Sequence, residues 1–507
     1  GYSSVFLFIA FEAIFKHPFC ALNCLELKIM SHTLEQAFDA NTFRQSGHQL
    51  IDLLADHLQG STTGELPVHT WQSPSDRLAA WQEEMEGNAF ELTDFVQKVL
   101  DQSIALHHPK YVGHQVGVPL PIAALMGLVS NLVNNGMAIY EVGQAAVAIE
   151  HLVIRSILDA FGFNEKAGGV LTSGGTLGNL TALLTARNTK TAVWKAGTTK
   201  PLAVMVSEEA HYCVERAVRT MGFGENGVIK VPVNERYEMR TDLLAPLLRQ
   251  AQAAGVEVIA VVGSACSTST GSFDDLEAIA HFCQTHQLWF HVDGAHGAAA
   301  MFSERYRHLL NGIAQADSFI MDFHKMLLTP SITTGVFYKN VHHSYQTFAQ
   351  KAQYLWSAPD ELEWYNFGKR TYECTKLMMS LKVYSILQAH GTSIWSDYIN
   401  RTFDLAKSFA NLLNDHPDFE LAMLPSCNIV CFRHTGATDL NELNNYIRQQ
   451  MLETGEFYMV KTSLNNQVYL RTTLMNPFTT LVDLSLLLEQ IREIAHSRVA
   501  VVFPHST

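Results

Sequence analysis

The chain has 507 residues, 47% hydrophobic and 17% charged, a balance that excludes disorder and, at this length, predicts two or three domains around large cores. Its formal net charge of −14 argues against nucleic-acid or anionic-membrane partners, which select basic patches. Eight cysteines without a CxxC pair fit free thiols in a reducing compartment, and no metal is expected.

In chain order, residues 5–11 are apolar, but no basic residue precedes Lys16, Glu12 ends the run, and it is too short to span a bilayer. Met30 begins a native-looking start, so residues 1–29 are expected to be an upstream extension or artefact, and the protein is expected to be cytoplasmic. Residues 30–115 read as an N-terminal helical segment, with Phe43, Gly47, Leu50, Leu53, Leu54 and Leu58 at helical spacing and punctuation by Gly and Pro over residues 60–67. Over residues 116–395, short apolar runs at 202–206, 256–262, 288–292 and 318–321 alternate with helical patterns. That alternation predicts an α/β large domain: a central, mostly parallel sheet with helices on both faces and ligand groups at the strand ends. Residues 396–507, with strand patterns at 419–423, 429–432 and 468–473 among helices, read as a small C-terminal α+β domain.

Three features of the large domain carry chemistry. Lys325 ends an apolar run beside His324, where desolvation would lower its pKa and make it a Schiff-base nucleophile. Asp293 ends the apolar strand 288–292, a place where a carboxylate stays ionised only with a cationic partner. Either alone is more often a surface lysine or a turn residue. The third feature is upstream, where residues 168–187 (GGVLTSGGTLGNLTALLTAR) run from a strand through a glycine-rich turn into a helix, a cradle for phosphate. A lysine for an aldehyde carbon, a carboxylate for a pyridine nitrogen and a phosphate cradle fit pyridoxal 5′-phosphate (PLP).

The order and wording of these segments resemble the group II PLP-dependent amino acid decarboxylases of the aromatic-amino-acid, glutamate and diaminobutyrate type. The likeness covers roughly residues 35–495. It is carried by residues 43–52 (FRQSGHQLID), 108–114 (HPKYVGH), 172–176 (TSGGT), 207–211 (SEEAH), 271–275 (GSFDD), 291–295 (HVDGA) and 323–325 (FHK). The resemblance implies the fold-type I, aspartate aminotransferase-like architecture and decarboxylation of an L-amino acid to an amine and carbon dioxide. It implies that His211 stacks on the cofactor ring, that Gly175, Thr176 and His324 serve the phosphate, that Ser264 lies near the cofactor in place of a family threonine, and that Ala295 lets the ring lie against its strand. Tyr354, in the segment 348–357, matches a tyrosine on a mobile loop that protonates the α-carbon, and its other reading is an aromatic packing residue.

Arg471 matches an arginine that pairs with a substrate carboxylate in glutamate-type members, although a structural ion pair would look the same in sequence. His114 and Gln115 sit where relatives vary with substrate, and their polarity speaks against a purely aromatic pocket without choosing between acidic substrates and diaminobutyrate. Family resemblance and the apolar faces of residues 35–60 together imply an obligate homodimer with shared active sites. Two other readings stand beside decarboxylation: a PLP-dependent aldehyde synthase or aminotransferase, and a non-catalytic nucleotide-binding or partner-binding protein. The turn at Gly174, Gly175 and Thr176 has neither of the common nucleotide-binding patterns.

Overall fold

The computed structural model describes residues 32–86, 90–348 and 363–502. Its contacts divide the chain into two units, Gly1–Gly60 with Gln72–Ser103, and Ser61–Trp71 with Ile104–Thr507. The first unit is helical, holding most of Ala40–Thr63 together with Pro74–Glu86 and Leu92–Asp101. Glu91 caps the last of these by accepting a hydrogen bond from the Asp94 amide. Neither Pro74–Glu86 nor Leu92–Asp101 has a buried residue, and Phe43, Leu78, Met85 and Phe90 are exposed.

The second unit is built on a seven-stranded sheet of β1 (Gly168–Thr172), β2 (Leu202–Ser207), β3 (Val228–Val231), β4 (Glu257–Ser264), β5 (Trp289–Asp293), β6 (Ser318–Asp322) and β7 (Thr334–Tyr338). Their order is β1-β7-β6-β5-β4-β2-β3. The run from β6 to β3 is parallel, and only β7 is reversed against both of its neighbours. This is the mostly parallel α/β architecture expected from the alternating runs. Alternate strand residues feed two cores on opposite faces of the sheet. Phe290, Val292, Phe319 and Met321 belong to one, while Trp289, Ile320 and Val336 belong to the other. Burial on both faces is why these strands read as continuous apolar runs rather than alternating ones.

A four-stranded antiparallel sheet follows, of β8 (Phe419–Leu421), β9 (Ile429–His434), β10 (Val460–Leu464) and β11 (Gln467–Thr473), in the order β10-β11-β9-β8. Strand β10 is absent from the sequence reading because its interior, Lys461, Thr462 and Ser463, has no buried residue to announce it. The hairpin is made instead by Asn465 and Asn466, both at positive φ, 50° and 61°, the backbone that a two-residue turn between twisted strands requires. Among the described residues, no helix is long and apolar enough to cross a membrane.

Candidate active site

Parallel strands deliver their C-terminal residues to one edge of the sheet, and there β6 ends on Asp322. Its carboxylate is buried, accepts a hydrogen bond from Thr334 Oγ1 at 2.5 Å, and lies 3.2 Å from Lys325 Nζ and 3.7 Å from His324 Nε2. The expectation that desolvation would lower the Lys325 pKa is overturned. Burial does act in that direction and is the largest single influence, but Asp322 and Asp293 together outweigh it and hold the amine above the usual lysine range. Asp322 was missed in sequence, although a polar residue closing an apolar strand is the same signal that singled out Asp293.

Asp293 ends β5, with Oδ2 accepting from Asn179 Nδ2 at 3.1 Å and Oδ1 from the Ala295 amide at 3.2 Å. With its amino group directed at Asp293, Asn179 turns Oδ1 toward His291 Nε2, 2.8 Å away. His291 Nε2 therefore carries the ring proton, and Nδ1 accepts from Ser318 Oγ at 2.8 Å. Burial pushes His291 down to about 3. Since the unfolded chain binds a proton near pH 6.5 and the folded chain does not, stability falls as pH drops from 6.5 toward 3. Between pH 7 and 5, His291 is expected to account for a loss of about 2 kcal/mol. Urea unfolding of the parent and His291→Gln at both pH values checks this, and an equal pH dependence in the two proteins would refute it.

The glycine turn expected to cradle phosphate lies between β1 and helix Gly175–Lys190. Gly174 has φ +102°, open to glycine but strained for other residues, and a Cβ at Gly175 would stand 3.1 Å from Asp322 Oδ2. The turn thus leaves room beside a helix N-terminus, whose amide N–H groups lack helical partners and favour an anion. His211 caps helix Tyr212–Thr220, its Nδ1 accepting from the Cys213 amide at 3.3 Å. Capping and lining the site are one placement here. Burial lowers its pKa against the pull of Asp293, so the ring is neutral with its proton on Nε2.

Seven residues singled out in sequence, Gly175, Thr176, His211, Asp293, Ala295, His324 and Lys325, line one cavity of about 340 Å³, within the usual range for small-molecule sites. Ser264 pairs with Asp293 in strand register and is buried, but it does not line the cavity. The turn after it brings Cys266 and Thr268 to the wall instead. Nor do His114, Gln115 and Arg471 line it. Arg471 Nη1 donates to the carbonyl of Thr268, placing the guanidinium behind that wall residue. His114 and Gln115 precede Gly117, whose Cβ would clash with the Lys325 carbonyl at 2.4 Å; Gly117 N donates to the His324 carbonyl at 3.2 Å. Tyr354 lies outside the described residues. Sequence reading also missed Asn179, Cys213, Cys266 and His296 among the lining residues.

A carboxylate fixed by two donors, an amine near a second carboxylate, and a glycine turn opening a helix within one cavity fit PLP. The family model described as the Pyridoxal-dependent decarboxylase conserved domain matches residues 87–435. An aromatic-L-amino-acid decarboxylase of Bacillus atrophaeus is 27% identical over 488 residues, covering 94% of this chain and 99% of the relative. An L-aspartate decarboxylase of Metarhizium robertsii is 31% identical over 356 residues, 69% of this chain and 71% of the relative. The crystal structure of mouse CSAD shares the fold with a TM-score of 0.84 at 23% identity, covering 90% of this chain and 99% of that one. With cavity, family model and relatives in agreement, the chain belongs to the pyridoxal-dependent decarboxylases and carries out PLP-dependent decarboxylation of an amino acid.

Proposed function

We propose that this decarboxylase acts on an acidic L-amino acid, with Arg471 binding a substrate carboxylate, in a cytoplasmic homodimer. The supporting observation is a cation without an anion. Arg471 is 7% exposed, its Nε has no hydrogen-bond partner, and among the described residues it has no carboxylate within ion-pair distance. Burial depresses its pKa, the mark of a guanidinium whose desolvation is not offset. Its Nη1 donates to the Thr268 carbonyl behind the cavity wall, but a buried charge without a counter-ion still costs several kcal/mol, which a substrate carboxylate reaching past Thr268 would offset. The L-aspartate decarboxylase among the relatives points the same way.

Residue roles follow from placement. PLP, when bound, supplies a protonated ring that accepts the electrons left when the substrate carboxylate departs. In this reading the large domain, residues 116–395, holds it: Gly175, Thr176 and His324 at the phosphate, Asp293 at the ring nitrogen, Ala295 and His211 against the ring, and Ser264 behind Asp293. Lys325 Nζ would have to give up a proton before it could hold an aldehyde, and Asp322, 3.2 Å away, is placed to accept it. His211 Nε2–H is available to orient the substrate carboxylate. The small domain, residues 396–507, contributes Arg471, and His114 and Gln115 flank the substrate side. Tyr354 is assigned the return of a proton to the α-carbon. Two further observations support the assembly and compartment: exposed Leu125, Leu128, Leu132 and Val133 on helix Pro121–Val133 form an apolar face that a partner would cover, and the six cysteines among the described residues are free.

The test is a substrate panel read as carbon dioxide release. Aspartate or glutamate is expected to outrun aromatic amino acids and diaminobutyrate, and Arg471→Gln should lower kcat/KM for the acid by about 100-fold. Faster turnover of an aromatic or diamino substrate, or an unchanged kcat/KM in the variant, would overturn the assignment.

A further inference from the structure

Cys266, His296 and Cys427 lie on three separate segments: the turn after β4, the turn after β5 and the loop before β9. All three are buried, and one ligand atom from each lies within 4.8 Å of the other two. The two sulfurs are 3.9 Å apart. Two thiolates held about 2.3 Å from one tetrahedral ion stand about 3.8 Å apart, whereas a disulfide requires about 2.05 Å. The observed spacing therefore suits an ion between the sulfurs with little movement.

His296 supplies an independent observation. Its Nε2 lies 2.8 Å from Asn428 Oδ1, and that amide is oriented by Nδ2 donating to the Leu474 carbonyl at 3.2 Å. The ring proton is therefore on Nε2, leaving the lone pair of Nδ1 free. This Nδ1 is buried without a hydrogen-bond partner. A ring whose outer nitrogen is fixed by a carbonyl oxygen while the other is left open is the arrangement found at metal-binding histidines. Cys427 Sγ also lies 3.5 Å from the Gly271 carbonyl, a longer contact than the 3.2 Å that separates the neighbouring Cys431 Sγ from the Ser269 carbonyl.

We propose that Cys266 Sγ, Cys427 Sγ and His296 Nδ1 form a site for a thiophilic d10 cation, Zn²⁺ in its divalent form. Three protein ligands leave a fourth position for water. Binding releases one proton from each thiol, and the open Nδ1 of His296 offers its lone pair directly. Cys266 and His296 also line the catalytic cavity, so the ion ties the turns after β4 and β5 to the loop before β9 at the cavity wall. The ligands lie 30 and 131 residues apart along the chain, which is why no spacing motif announces them.

The test uses reduced, PLP-loaded enzyme stripped with a chelator and then given Zn²⁺ or Co²⁺. One equivalent of ion per chain is expected to survive desalting, with thiolate-to-cobalt charge-transfer absorption in the Co²⁺ form. Cys427→Ser should weaken binding at least about 100-fold, while Cys431→Ser should bind normally. X-ray absorption at the zinc edge of the unmodified enzyme requires no variant and should show two sulfur neighbours at about 2.3 Å. A shell of only nitrogen and oxygen, equal retention by Cys427→Ser, or no ion retained by the reduced enzyme would each overturn the site.

Discussion

Lys325→Ala is expected to lower carbon dioxide release by about 10⁴-fold or more and to remove the visible absorption of a covalently attached cofactor. Borohydride reduction followed by peptide mapping should label Lys325 in the parent and no lysine in the variant. The size of the effect follows from position. Among the described residues Lys325 is the lysine that lines the cavity, and its Nζ is held 3.2 Å from Asp322, so removing it would delete the proposed nucleophile and leave Asp322 with one cation fewer. Because Asp322 is 2% exposed and still takes a hydrogen bond from Thr334, an unpaired carboxylate there costs stability as well, on the order of 1–3 kcal/mol. Asp322→Asn separates the two effects. It removes the carboxylate that raises the lysine pKa, so covalent attachment should persist and extend to lower pH. A pyridoxyl label on another lysine would sink the assignment of Lys325.

The sheet was legible because burial on both faces turns strands such as β2 and β6 into largely apolar runs. Asp293 and Lys325 were legible because each interrupts or follows such a run with a charge. What could not be read was sign and partner. A lysine beside apolar residues looks desolvated in sequence, yet the balance of two carboxylates against burial is set by distances that only the fold supplies. Asn179, two residues beyond Leu177 in a helix, looked like an ordinary polar position until the helix brought it against both Asp293 and His291. Arg471 and Thr268 are about 200 residues apart in the chain, and a pairing of that range has no local pattern. Strand β10 escaped for a simpler reason, since its polar interior lies at a half-exposed edge.

Asp293→Asn is expected to keep bound cofactor while turnover falls by about 10²–10³-fold. The carboxylate accepts from Asn179 Nδ2 through one oxygen and from the Ala295 amide through the other, so nothing in its own hydrogen bonding needs it to be neutral. Its charge is therefore available to stabilise a proton at the ring nitrogen, and an asparagine of equal size cannot supply that charge. The replacement also has only one carbonyl oxygen. Whichever way the amide turns, either Asn179 Nδ2 or the Ala295 N–H faces an amino group, and the strain reaches His291 through Asn179 Oδ1. A stability loss of about 1–3 kcal/mol should accompany the kinetic defect. Asn179→Ala distinguishes the two contributions, because it removes the donor while keeping the charge. Its rate should fall far less than that of Asp293→Asn while its stability falls comparably. If both variants lose activity equally, Asp293 acts by shaping the site rather than by its charge; near-normal turnover in Asp293→Asn would remove the carboxylate from the chemistry altogether.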